Sequence, residues 1–160
     1  MRPGRNPPTV AYTMEQGEGA GRLVDEGFVR PAPPVTDRTA AYWHGGAGGV
    51  LRIARCGACG HWLHPPLPVC PRCRSSAVTA EAVSGRGRVW SWTVNRYRWS
   101  PTITPPYVIA EIELVEQPRL RILSSVIACG VDDVRTGMDV EVCFARTGDV
   151  LVPLFRPVAP

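Results

Sequence analysis

From Glu81 onward apolar and polar residues alternate with a period of two, the spacing of strands that bury one face. Val108, Ala110, Ile112 and Leu114 interleave with Ile109, Glu111, Glu113 and Val115, so one face is apolar and the other mixed, with charge in its middle. Met138, Val140, Val142 and Phe144 repeat the device, as do Val150, Val152 and Leu154. With Val89 to Tyr97 and Leu120 to Ile127, the pattern predicts five strands separated by turns over residues 81–160. That number within such a length fits the partly open closure of an OB-type barrel.

The pattern upstream is different. Residues 1–35 are rich in Pro, Gly and charge and close on Arg30-Pro31-Ala32-Pro33-Pro34, where the prolines exclude a continuing helix or a paired strand. An extended or disordered tail is expected there, with a short ordered piece around Leu23 to Val29. A helix follows over 36–49: Thr36 or Asp37 as N-cap, an apolar side along Arg38 to His44 that includes Tyr42 and Trp43, and Gly45-Gly46 as the stop. The strand Leu51-Arg52-Ile53-Ala54-Arg55 then opens a segment placed at 50–80.

That segment carries the most specific chemistry in the chain. Cys56-x2-Cys59-x10-Cys70-x2-Cys73 sets two CxxC knuckles at the separation that presents four thiolates to one tetrahedral zinc ion. Gly60 and Pro71 suit the tight turns such knuckles need. Two disulfides are the rival reading, but Met1 to Thr13 hold no apolar run able to act as a signal peptide, so an oxidising compartment lacks support and a reducing cytoplasm is expected. Redox chemistry of a lone CxxC would need a βαβ setting that a pair of knuckles around a proline-rich loop does not offer. His61 and His64 lie between the knuckles, where four thiolates already fill the site, and both are read as loop residues. Cys129 and Cys143 are read as small, reduced residues in strands. The expected architecture is mainly β: an N-terminal helix, a rubredoxin-like zinc ribbon, then a five-stranded OB-fold barrel.

Composition adds three limits. The net charge is +4 and all eighteen basic residues are arginines, so no lysine is present to form a Schiff base. Arginines mix with aromatics in Arg86-Gly87-Arg88-Val89-Trp90-Ser91-Trp92 and in Arg96-Tyr97-Arg98-Trp99, a composition that can serve phosphates or stacked bases. The simpler reading is a strand with arginines outside and tryptophans inside. No apolar stretch approaches the roughly 20 residues needed to cross a bilayer.

Taken in order, the Tyr42-Trp43 helix, the ribbon, Ser84-Gly85-Arg86-Gly87-Arg88-Val89, Ser91-Trp92-Thr93-Val94, Pro106-Tyr107-Val108-Ile109-Ala110, Glu113-Leu114, Gly137-Met138-Asp139-Val140 and Phe155-Arg156-Pro157 resemble the zinc-ribbon/OB-fold family formerly called domain of unknown function thirty-five. The resemblance covers about residues 36–158. It departs in the long tail, in the turn Glu116-Gln117-Pro118-Arg119 where a glycine is more usual, and in lacking the hydratase-like domain fused to some relatives. Members accompany thiolase-like enzymes of acyl-CoA metabolism, in thiolase, acyltransferase, hydroxymethylglutaryl-CoA synthase or steroid side-chain aldolase assemblies. The resemblance therefore implies a thiolase-like partner, in a heterotetramer if each protomer of a dimeric enzyme takes one copy, with an acyl-CoA thioester at the shared site.

The residues themselves are poor in catalytic machinery. No Gly-x-Ser-x-Gly elbow or phosphate loop is present, Gly85-Arg86-Gly87 reads as a turn, and no histidine has an acid nearby in sequence to orient it. The expectation is an accessory subunit that is not an enzyme on its own, with Cys56, Cys59, Cys70 and Cys73 binding zinc. Arg96, Arg98, Trp99 and Tyr107, beside the connection from Ser100 to Pro106, are the candidates for contact with substrate or partner. The alternative is a module for single-stranded nucleic acid, for which +4 is a modest field.

Overall fold

The computed structural model describes residues 32–99 and 103–158 together with the backbone of Arg22–Val24. The rest of the expected tail, and 100–102 within the expected outward connection, lie outside the described residues. Arg22–Val24 forms a short strand, β1, so the tail contributes at least one paired segment.

The helix is shorter than its sequence suggests. Helix α1 is Ala40–His44, with Thr39 and not Thr36 or Asp37 at the N-cap position, where its side chain makes no cap hydrogen bond. Thr36 acts one turn earlier, its carbonyl accepting from the N–H groups of Thr39 and Ala40 at 2.9 and 2.8 Å. The expected stop at Gly45-Gly46 also moves. Gly45 has φ −55, an ordinary helical value, so the chain runs on into a 3₁₀ turn over Gly45–Gly48 and stops at Gly49, whose φ of 67 breaks the spiral. Gly46 is needed for a different reason: a Cβ there would sit 2.5 Å from Phe144 Cδ1 and 2.8 Å from Leu151 Cβ. The turn lies flat on the core because it has no side chain at that point.

Strands β2 (Arg52–Cys56), β3 (Trp62–Leu63) and β4 (Val78–Ala82) make a small antiparallel sheet in the order β3-β2-β4. Its own core is minute: Ala54, Cys56, Leu63 and Cys70, with Val78 against them. Leu51 and Ile53, at the start of the same segment, belong instead to the main core.

That main core fills the barrel of β5 (Arg86–Asn95), β6 (Tyr107–Leu114), β7 (Arg121–Ser124), β8 (Asp139–Thr147) and β9 (Val150–Pro157). The ladders β5–β6, β6–β7, β5–β8 and β8–β9 are antiparallel. Closure comes just past β7, where Val126 bridges Phe155, the Ile127 N–H donates to the Phe155 carbonyl at 2.8 Å, and the Phe155 N–H donates to the Ser125 carbonyl at 2.9 Å. The circuit is therefore β5-β6-β7-β9-β8, the order of an OB barrel. Val89, Val108, Ala110, Ile112, Leu114, Ile122, Val140, Phe144 and Phe155 are buried inside it. The expected alternation holds along β6. On β8 it fails, since Cys143 and Ala145 are also buried, packing with Leu154 in a second cluster behind the strand.

The tryptophans correct the sequence reading. A register shift between Val89 and Ser91 inserts Trp90 as an extra residue, and its ring emerges on the outside, 49 % exposed, beneath the Arg121 guanidinium at 3.8 Å. Trp92 pairs with Ala110 and thus follows the inner side, yet is 38 % exposed. Cys129 lies between β7 and β8 and not in a strand, its thiol pushed up by burial and by the nearby Asp133. The β6–β7 turn accommodates its missing glycine by placing Arg119 at φ 66. From the same turn Gln117 reaches the ribbon: its Oε1 accepts from the Trp62 N–H at 3.0 Å, and its Nε2 donates to the Trp62 carbonyl at 3.3 Å. One side-chain amide stands in for a strand neighbour and ties ribbon to barrel.

Candidate metal centre and aromatic contact site

The two knuckles are copies of one backbone device. In each, the N–H four residues on returns to the carbonyl of the first cysteine, Gly60 to Cys56 and Arg74 to Cys70, both at 2.8 Å. In each, the N–H of that cysteine donates to the carbonyl five residues on, of His61 or Ser75, at 2.9 Å. The turn needs a positive φ after its second cysteine, met by Gly60 at 71 and by Arg74 at 63.

The knuckles bring four sulfurs within 4.8 Å of one another. Cys56 Sγ lies 3.5 Å from Cys73 Sγ, and Cys59 Sγ 3.7 Å from Cys70 Sγ. Sulfurs about 2.3 Å from a common tetrahedral ion stand roughly 3.8 Å apart, so the donor set has the size and softness that zinc takes. The Cys59 N–H, aimed at the Cys56 sulfur, draws that thiol down, while at Cys73 the Ser75 N–H is outweighed by the crowded Cys59 and Cys56 sulfurs, which push the Cys73 thiol up. With four protein sulfurs no position is left for water, which makes this a folding site and not a hydrolytic one.

Neither ribbon histidine joins the sulfur cluster, in keeping with their reading as loop residues. His61 contributes its carbonyl to the first knuckle. His64 packs its ring 5.0 Å from that of Tyr42, and burial holds it down to about 4 while raising the Tyr42 phenol. The sign of the pH effect follows. Above pH 6.5 His64 is neutral folded or unfolded; below it the unfolded chain takes a proton that the folded chain resists until about pH 4, so stability falls through that interval. Discounted for the ring's partial exposure, the loss is about 2 kcal/mol. Urea unfolding of the wild type and of His64→Phe between pH 7.5 and 4.5 is expected to show the variant losing less by that amount. Acid effects on the thiolates are common to both and cancel in the difference.

The contact candidates separate. Arg96 turns to Asp132, Nη2 to Oδ1 at 3.0 Å, and Arg98 is exposed. Trp99 is 74 % exposed, and Tyr107 opens β6 opposite Asn95. The expected strand to Tyr97 ends at Asn95, and it is this residue that joins the set. Its Nδ2 donates to the Tyr107 hydroxyl, while its Oδ1 accepts from Trp99 Nε1 at 2.9 Å and from the Tyr97 N–H at 3.3 Å. Tyr97 packs edge-on to Trp99, centroids 4.9 Å apart. Asn95 is not singled out by the sequence, and Tyr97 enters there only within the Arg96-Tyr97-Arg98-Trp99 cluster and not as a contact candidate. The available signal was an amide-bearing residue at the end of an aromatic-rich strand.

Among the described residues no helix is long and apolar enough to cross a membrane. Two family models match in tandem: "ChsH2, rubredoxin-like zinc ribbon domain" over residues 43–79 and "ChsH2, C-terminal OB-fold domain" over 80–145. A "Probable enoyl-CoA hydratase alpha subunit" of Thermomonospora curvata is 32 % identical over 133 residues, covering 82 % of this chain and 41 % of the relative. The chain thus spans about two fifths of that protein's length. A "DUF35 domain-containing scaffold protein" of Pyrococcus furiosus is 34 % identical over 107 residues, 62 % of this chain and 77 % of the relative. The solved structure titled "Ltp2-ChsH2(DUF35) aldolase" superposes with a TM-score of 0.73 at 29 % identity, covering 80 % of this chain and all of that one. Zinc is the cofactor of this ribbon, and with ribbon, barrel and strand circuit in agreement, the chain belongs to the DUF35 family of zinc-ribbon/OB-fold proteins.

Proposed function

We propose that this chain is a non-catalytic accessory subunit of a thiolase-like enzyme acting on acyl-CoA or related thioesters, working in the cytoplasm. Cys56, Cys59, Cys70 and Cys73 ligate a structural zinc ion. Arg96, Arg98, Trp99 and Tyr107 face the partner or its substrate at the entrance to the shared site. The observation that carries this reading is the likeness to a chain of the same architecture, covered end to end, in a structure titled as an aldolase built of two named components. Relatives named as a scaffold and as a hydratase subunit support it further. The role is positional. Holding a substrate and a partner's reactive groups in register lowers a barrier without donating a reactive group.

A second reading, a platform for single-stranded nucleic acid, draws on the exposed Trp90, Trp92, Tyr97 and Trp99. The outer face beside Trp90 opposes it, because Glu111 and Glu113 stand there, engaged by Arg121 at 4.0 and 3.0 Å. Co-expression with the thiolase-like protein encoded nearest to this chain decides between them. The expected result is a stable complex, two copies of each chain, whose turnover of a panel of acyl-CoA thioesters disappears when this chain is omitted. No complex, together with binding to single-stranded oligonucleotides that weakens steeply with salt, would overturn it.

A further inference from the structure

We infer that Asn95 is a positioning residue, whose side-chain amide sets Trp99 and Tyr107 in the arrangement that meets the partner enzyme. The inference rests on the accessory-subunit reading above and adds to it the residue through which that surface is shaped.

The argument starts from hydrogen-bonding capacity. An asparagine amide offers two acceptor lone pairs and two donors. An indole N–H and a backbone N–H can only donate, so the oxygen of Asn95 must be the atom facing Trp99 and Tyr97. Its nitrogen then faces Tyr107, whose hydroxyl accepts. Chemistry leaves one orientation of the amide, and both oxygen lone pairs are used.

What this holds is not core. Trp99 and Tyr97 are 74 % and 65 % exposed, so water could satisfy the indole N–H equally well and little apolar area is gained by ordering the rings. A tether from a half-buried strand end to an exposed indole, with a second aromatic ring set edge-on against it, fixes beforehand the rotamers whose freedom would otherwise be lost on binding. Large aromatic side chains held still on a surface are the form that anchoring residues of protein interfaces take. The strand pairing places Tyr107 opposite Asn95, so the same amide registers the two ends of the β5–β6 hairpin against each other.

Three variants test this in the complex with the thiolase-like partner: Asn95→Leu, Asn95→Asp and Trp99→Ala. Leucine keeps the branched shape and removes all three bonds; aspartate keeps the two acceptances and can take a hydrogen bond from the Tyr107 hydroxyl. Asn95→Leu and Trp99→Ala are expected to weaken the complex at least tenfold in calorimetric titration, and Asn95→Asp to recover to within about threefold of wild type. The melting temperature of the isolated chain should move little in any of them. The Trp99 indole resonance in a nitrogen–proton correlation spectrum should shift in Asn95→Leu and stay near its place in Asn95→Asp. A wild-type complex that Asn95→Leu or Trp99→Ala binds within twofold overturns the inference and leaves the accessory reading intact. A wild-type chain that forms no complex overturns the accessory reading, and this inference with it.

Discussion

Replacing Cys70 with alanine is expected to abolish zinc binding and to unfold the segment from β3 through β4 while the barrel stays folded. The ribbon cannot support itself on apolar burial. Of its four buried core residues two are the cysteines themselves, and the largest of the others is Leu63. Burial of so little area, at about 25 cal/mol per Å², returns only a few kcal/mol. Ordering the backbone of the segment costs more than that. Zinc coordination, of the order of 10–16 kcal/mol in structural sites, is therefore what holds the segment folded. The barrel should survive because its core is separate: Leu51 and Ile53 lie in it, and the break falls beyond them, where Ala54 and Cys56 turn toward the knuckles. Metal analysis together with amide hydrogen exchange tests this. Protection lost on β3 and β4 but kept on β6 and β8 is the expected outcome; loss on all four strands would show that ribbon and barrel form one cooperative unit.

Phe144→Ala is expected to destabilise the chain by about 4 kcal/mol. For a chain of this length that corresponds to a fall in melting temperature of roughly 10 °C. Phe144 is fully buried at the middle of β8, and it also carries the 3₁₀ turn that follows α1, which rests on its ring at Gly46. Gly46→Ala fails by the opposite route, since its new methyl must displace that ring. The two are therefore coupled. In a double variant the smaller residue at 144 removes the clash with the ring, leaving only the contact with Leu151 Cβ, and the combined loss should be less than the sum of the single losses by more than 0.5 kcal/mol, measured by denaturant unfolding. Additive losses would mean that the turn moves independently of the strand.

How much of this was legible depended on whether the information was local. The metal centre was, because a knuckle's chemistry is written in consecutive residues: two cysteines, a spacing, and a residue that accepts positive φ. Even the departure at Arg74 kept the geometry, at φ 63. The strands were legible as well, since Val108 to Leu114 alternate without interruption. The inward side of Trp92 was not, because the one inserted residue, Trp90, shifts every later side chain of β5 to the other face and the shift is visible only from the partner strand. The short helix was misjudged from glycines that serve close approach and ordinary helical φ before they serve termination. Asn95 and Gln117 were missed because each is defined by bonds to groups that only the fold brings near. The Gln117 bonds reach Trp62, fifty-five residues away in sequence.

The pairing of β1 with β8 has a consequence for self-association. Past Glu141 β8 parts from β5, and the edge from Cys143 to Ala145 is taken by Arg22–Val24, running parallel. Since donor and acceptor edges belong to one chain, the contact is held at an effective concentration on the millimolar scale. An open edge of that kind is a template for another molecule's backbone. Here an outside strand must first displace a tethered one, so exchange of β1 between two copies competes only when the protein itself becomes comparably concentrated.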